Sequence, residues 1–456
     1  MLALALCRLA VATYSGLEYS HGDFYATLPG AYAERLNPEL WNSHDLRLAS
    51  GFGRSEYLYG PTQYLTIFPL VFLDSYNAVA NSLLLPYLLL ILLSAYVMWR
   101  SFRLCAGNPG SGLVAVIGCT CLFLPLIQAF VQREFEVTIL FVTACALYGL
   151  LTRREGIAGA LLGYATWFKF FPLAFLPYFA VRGRLRSVAG YVVMSAVVLV
   201  AAEAFLDLSR FRTVIELATA QTRANVFADE FCEAWTQPDS RNHAIANSTR
   251  AGAKWALCGY QDRWSWFSAP WTYAAYVMLI VAVSIAGYLR LERAPTLADG
   301  DERWRRSLEV GVILTTPFLL YAHYYYLLFA LVPLNALLMR YLHEIEAGRP
   351  CKRLWLWLAS YFTLSAFVVP PSVSSELLGI DFWRFYMGHG IYFVGEALLL
   401  SLLLYEYVTI PVGAGAVAQE HVAARPSRRL GLQWASLPRV ASPSSVAPAT
   451  STDTIS

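Results

Sequence analysis

Asp23, Lys169, His323 and the pair Glu134 and Glu136 are ionisable residues set in or beside long apolar runs. Asp23 follows the first apolar segment. A carboxylate at a membrane interface can serve as a general base, taking a proton from an attacking hydroxyl. It can equally cap a helix, because Asp suits that position and 24–36 reads as helical. Lys169 is one of three lysines, with Lys254 and Lys352. A charge at membrane depth is costly and by default functional, so Lys169 either neutralises a phosphate or pairs with Glu134 or Glu136. His323 sits among tyrosines in Tyr321-Ala-His323-Tyr324-Tyr-Tyr326. There it is either a phosphate donor or acid–base group near neutral pH, or a hydrogen-bonded core residue. Glu134 and Glu136 open an apolar run, where they would bind an acceptor or a cation, or cap a helix.

The elements that must position these groups are membrane helices. The 456 residues are 57% hydrophobic and only 14% charged, against about 25% charged in a soluble domain, and mean hydropathy is +0.48. Apolar runs approach the ~20 residues that cross a hydrocarbon core. A net charge of +3 is too small to suggest nucleic acid. The basic residues are nearly all arginines in short loops, a pattern that sets orientation. The eight cysteines form no CxxC. Cys232 and Cys258 share one polar loop and would pair only if that loop faces an oxidising compartment.

Read in order, Leu2–Tyr14 is a short apolar segment, either a signal-like region or a clipped first helix. Residues 15–78 form a first outer loop. Within it Phe24, Leu28, Tyr32 and Leu36 share one helical face, suggesting a helix lying in the interface, and Tyr57, Tyr59, Pro61 and Pro69 close it. Spans are expected near 79–99, 111–131 and 135–152. From 156 to 180 arginines flank both ends, which one straight span cannot satisfy. Lys169-Phe-Phe-Pro172 interrupts the helix, so a hairpin of two short helices is expected, with Lys169 at its tip inside a protein cavity. Val188–Ala204 crosses outward to a long outer loop, 205–268, and 271–289 returns to an Arg-rich loop at 290–306. The stretch 308–339 repeats the hairpin pattern with His323 at its tip. Spans near 354–369 and 391–411 follow. The Ala-, Pro-, Ser- and Thr-rich residues 412–456 read as a disordered cytoplasmic tail. The expected fold is therefore all-α and polytopic: one membrane-embedded domain, 1–411, of about 10–12 transmembrane segments with outer-face loops and interfacial helices.

The order of several short motifs resembles glycosyltransferase family 87. These are Gly22-Asp23-Phe24-Tyr25, the Tyr59-Gly60-Pro61 step leading to Phe68-Pro69-Leu70, Gln132 before an apolar run, Gly159-xxx-Gly163 running into Lys169-Phe-Phe-Pro172, and His323-Tyr324 with Pro333. That family includes polyprenyl-phosphate-mannose-dependent α-1,2-mannosyltransferases. The resemblance implies a C-type glycosyltransferase fold that moves a hexose, mannose expected, from a polyprenyl-phosphate-linked sugar to a lipid or glycan acceptor, with inversion; no cofactor is expected, and no carboxylate cluster in the sequence compels a metal. It implies a site facing outward from a membrane, with a prokaryotic plasma membrane expected from the Arg-heavy composition. Carried over residue by residue, Asp23 is the general base, while Lys169 and His323 face the phosphate; Arg133, not carried over from the family, is a further candidate there. Tyr59, Glu134, Glu136 and Tyr324 line the acceptor side or cavity. The chain departs from the family at Gln132-Arg133-Glu134-Phe135, where many relatives have Gly-Gln-x-Asn, and at Tyr59-Gly60-Pro61, where Tyr-Pro-Pro is usual. The rival readings are a transporter or flippase of a lipid-linked sugar, which also uses broken helices and buried charges, and a non-catalytic scaffold.

Overall fold

The computed structural model describes residues 2–18, 60–67, 81–206, 299–320, 324–365 and 391–410, with isolated helical positions between 278 and 289. Every element among them is helical. The α-helices are α1 (Leu2–Glu18), α2 (Pro61–Ile67), α3 (Leu84–Arg103), α4 (Gly112–Leu122), α5 (Leu124–Val131), α6 (Glu136–Leu151), α7 (Glu155–Thr166), α8 (Phe175–Val181), α9 (Leu185–Leu206), α10 (Asp299–Leu320), α11 (Leu331–Glu346), α12 (Arg353–Ser365) and α13 (Ile391–Thr409). Short 3-10 turns at Phe171–Ala174 and Tyr324–Ala330 precede α8 and α11. These helices belong to one unit, Met1–Gly413. The interfacial helix expected at 24–36, the long loop 205–268 and the tail 412–456 lie outside the described residues.

Among the described residues, Leu84–Arg103, Leu185–Phe205 and Tyr326–Glu346 are each long and apolar enough to cross a membrane. α4 and α5 together make a fourth candidate, bent by 59°. Pro125 explains the bend: it suits the first turn of a new helix but cannot continue the old one. Of the other expected spans, 135–152 and 354–369 fall on the shorter helices α6 and α12, 391–411 on the 19-residue α13, and 271–289 almost wholly outside the described residues. α9 exposes Val192, Val193, Val197 and Val200, an apolar surface that suits lipid rather than water. The chain is a membrane protein, all-helical among the described residues.

The hairpin expected over 156–180 is present. α7 rises to the turn 167–170, and the 3-10 turn with α8 returns. Arg184 Nη1, just past α8, lies 3.7 Å from Glu155 Oε1 at the start of α7, so the two ends meet. α9 packs against α7 at backbone contact. A Cβ on Gly159 would overlap the Ser187 carbonyl, and one on Gly163 the Tyr191 carbonyl. Small residues at such crossings let membrane helices gain close packing where no hydrophobic force between them is available.

The second hairpin is formed by α10 and α11, and here the expected boundary needs correction. The arginine-rich stretch 299–306, read as loop, is the first two turns of α10. Its charges are satisfied along the helix, with Arg303 on Asp299 and Arg306 Nε 2.8 Å from Glu302 Oε1, the i,i+4 spacing that supports a helix. Arg340 near the end of α11 lies 5.8 Å over the Trp304 ring, closing this hairpin's base.

Buried charge joins the two bases. Glu309 of α10 is 1% exposed and holds Arg182, accepts a 2.8 Å hydrogen bond from the Tyr178 hydroxyl, and lies 3.7 Å from Arg305 Nε. Elsewhere polar links thread the core. The Asn335 amide donates to Thr120 Oγ1 at 3.2 Å, Trp357 Nε1 to the Leu334 carbonyl and the Tyr361 hydroxyl to the Cys119 carbonyl, both at 2.8 Å.

Two expectations follow for stability in detergent. Gly159→Ala forces α7 from α9 and should cost about 1–3 kcal/mol, while Gly300→Ala, in open space, should be neutral or slightly stabilising; thermal unfolding of the two variants would show the contrast. Glu309→Gln leaves the buried Arg182 guanidinium without its carboxylate, while Arg305 keeps Glu302, and should cost roughly 3–5 kcal/mol; an unchanged melting temperature would mean that the base cluster does not hold the hairpins.

Candidate functional site

The first hairpin's tip meets the corner between α5 and α6, and the local sequence dictates both halves. α5 ends in a Schellman motif. The Arg133 N–H donates to the Phe130 carbonyl at 3.2 Å and the Glu134 N–H to the Ala129 carbonyl at 2.8 Å. This closure needs a left-handed residue at the position after the cap, usually glycine. Arg133 takes that conformation (φ 57°), and its guanidinium donates to the Val131 carbonyl, one of the acceptors left over at the helix end. The turn reverses the chain into α6, with Glu136 in its first turn, where the positive end of the helix dipole favours a carboxylate. Arg133, Glu134 and Glu136 are all buried.

Phe135, between these charges, anchors the corner to the hairpin. Its ring lies 5.9 Å from that of Phe168 and 6.4 Å from that of Tyr87, and Phe168 in turn meets Tyr164 edge-on at 5.3 Å. Lys169 follows Phe168 and forms an ion pair with Glu136. Its ammonium also sits 4.8 Å from the centroid of the Tyr326 ring, within the range of a cation–π contact. Tyr87, buried on α3, meets the corner through its edge-on contact with Phe135. A buried carboxylate–ammonium pair therefore sits at this corner among aromatic rings, with Glu134 buried two residues away.

α2 completes the tip. The Gly60 N–H donates to the Phe168 carbonyl at 3.4 Å, and the Thr62 N–H donates to the Trp167 carbonyl at 3.2 Å. Irregular backbone at membrane depth needs such partners. A Cβ at Gly60 would overlap the Trp167 carbonyl. The glycine in Tyr59-Gly60-Pro61 is thus required by the approach, and a proline there would also lack the N–H that bonds Phe168.

The structure brings together Lys169, Glu134, Glu136 and Arg133, with Lys169 paired to Glu136. Asp23, Tyr59 and His323 lie outside the described residues, and Tyr324 is described only as the first residue of the turn Tyr324–Ala330. Through Tyr326 and the 4.5 Å contact of Phe329 with Phe171, that turn reaches the Lys169 tip, so the segment after His323 adjoins the same place. Among the described residues no three His, Cys, Asp or Glu side chains converge as metal ligands.

Two residues of this region were not read from the sequence. Tyr87 lies within a uniformly apolar run, where nothing separates it from packing aromatics. Gln63 is completely buried, yet neither end of its amide is hydrogen-bonded. Such a group is costly to bury unless something else satisfies it. The signal for Gln63 was available: a glutamine two residues after the Gly-Pro step, inside an aromatic stretch.

No curated protein matches the chain. The family model described as glycosyltransferase family 87 matches residues 57–320, more than half of the 456. The match includes Arg133, Glu134, Glu136 and Lys169, and leaves Asp23 before it and His323 after it. A membrane bundle with a buried cation at a broken-helix tip and this match over most of its helical core leads to one assignment: the chain belongs to glycosyltransferase family 87.

Proposed function

We propose that this glycosyltransferase moves a hexose, mannose in the first instance, from a polyprenyl-phosphate-linked donor to a hydroxyl of a lipid-linked or glycan acceptor. The observation that carries this reading is the Lys169 ammonium, held inside an apolar bundle at the tip of an interrupted helix. A cation maintained at that depth suits a ligand that presents its charge within the membrane and its hydrocarbon to the helices, and a polyprenyl phosphate is such a ligand. The arginines at the bases of both hairpins support cytoplasmic bases and outward-facing tips, which puts the reaction at the outer face of a plasma membrane, prokaryotic by composition.

The reaction is a single displacement with inversion. Asp23 takes the proton of the acceptor hydroxyl as its oxygen bonds to the anomeric carbon. The bond from that carbon to the phosphate oxygen breaks on the opposite face, and polyprenyl phosphate departs with the electron pair. Lys169 meets the developing phosphate charge, with His323 and Arg133 assisting. Fixed cations where charge develops are the form of stabilisation that lowers such barriers most. Tyr59, Glu134 and Tyr324 stand on the acceptor side.

Purified protein given polyprenyl-phosphate-mannose and a mannosylated lipid acceptor should form product. Asp23→Asn should lower turnover by about 10²–10⁴-fold, the usual contribution of a general base. Undiminished turnover in Asp23→Asn would remove Asp23 from the mechanism. Failure with every polyprenyl-phosphate sugar, alongside movement of a lipid-linked sugar between leaflets, would favour transport instead.

A further inference from the structure

We infer that Glu136 is a resident anion that competes with the ligand's phosphate for Lys169, and so limits how long the spent polyprenyl phosphate stays bound. The inference rests on the reading of Lys169 as the group that meets the phosphate. It assigns Glu136 a role beyond lining the acceptor side.

An ammonium at membrane depth is stable only with a partner. Glu136 supplies that partner from the first turn of α6. It keeps Lys169 charged and aimed while no ligand is bound.

The same contact then opposes the ligand. Glu136 sits on Lys169, and Glu134, two residues before it, is buried in the same turn. A phosphate entering there meets the Glu136 carboxylate already on the ammonium, with the nearby Arg133 guanidinium turned onto the Val131 carbonyl. Like charges in a poorly screened setting repel strongly. Occupancy therefore requires the Glu136 carboxylate to give way on Lys169, and its return helps to expel the product. Lysine suits such an exchange. Its ammonium is a compact charge with three donors on a flexible stem, whereas arginine's planar fork would fix one bidentate partner. Glu136 in this scheme is a positioning residue that acts through Lys169.

The test is equilibrium binding of farnesyl phosphate to the purified full-length protein in detergent, with farnesol as the phosphate-free control. Glu136→Gln should tighten farnesyl phosphate binding by about tenfold, within the usual range of coupling between two ligands of one group, and leave farnesol unchanged. Lys169→Met should weaken farnesyl phosphate binding, and in that background Glu136→Gln should have no further effect. In turnover, Glu136→Gln should lower donor KM and kcat together, because product leaves more slowly. Should Glu136→Gln not fold, Glu136→Asp, whose shorter reach loosens the pair while keeping its charge, should shift binding in the same direction. Weaker or unchanged phosphate binding in the Glu136 variants, with Lys169→Met still damaging, would overturn the competition and leave Lys169 as the phosphate group. Unchanged phosphate binding in Lys169→Met would overturn the assignment of Lys169 itself, and the competition with it.

Discussion

A positive charge inside an apolar bundle cannot be left unanswered, and the described half of this site is arranged around that requirement at Lys169. The answer comes from three directions. Glu136 supplies the opposite charge, the face of Tyr326 supplies a quadrupole, and the Phe135 and Phe168 rings pack together where the tip meets α6. Each partner arrives on a different element: the start of α6, the 3-10 turn before α11, and the first hairpin's tip. Satisfying one ammonium therefore fixes the relative positions of three segments that are far apart in sequence.

The backbone imposes a second demand at the same place. An interrupted helix leaves carbonyls without intrahelical partners, and lipid offers none. At the tip, Trp167 and Phe168 present two such carbonyls, which accept from the N–H groups of Thr62 and Gly60. The short helix α2 thus serves as the missing half-turn of another helix. Its approach is so close that position 60 has no space for a side chain. The charge on Lys169 and the carbonyls before it are two consequences of one broken helix, and α2 and α6 meet one each.

Much of this frame can be read from sequence, for identifiable reasons. Arginines at both ends of 156–180, with Pro172 between them, force a hairpin whatever the tertiary context, and the hairpin is there. The boundary of α10 was misread because the same rule treats an arginine-rich stretch as loop. Asp299 and Glu302 neutralise Arg303, Arg305 and Arg306 along one helix, and charge counting does not register local pairing. The choice of Glu136 over Glu134 as the partner of Lys169 was also illegible. The two lie two residues apart, and which one faces the hairpin is decided by the Schellman turn at Arg133, a left-handed arginine that propensity argues against. Gln63 and Tyr87 were missed because their significance is burial beside charge, which no local pattern encodes. Asp23, Tyr59 and His323 lie outside the described residues.

The two ends of the hairpins solve the same electrostatic problem with different chemistry, and the difference separates scaffold from site. At the base, Glu309 is held by Arg182, by the Tyr178 hydroxyl and by Arg305. Guanidinium groups have fixed donor directions, so displacing Glu309 would break several directional contacts between α8 and α10 at once. At the tip the cation is a lysine, whose donors rotate and whose stem bends, and it faces both a carboxylate and a π-face. Such a group can trade one anion for another while its backbone stays in place. A rigid arginine cluster at one end and an adaptable lysine at the other is the arrangement expected of a protein that must keep its helices still while a charged ligand comes and goes.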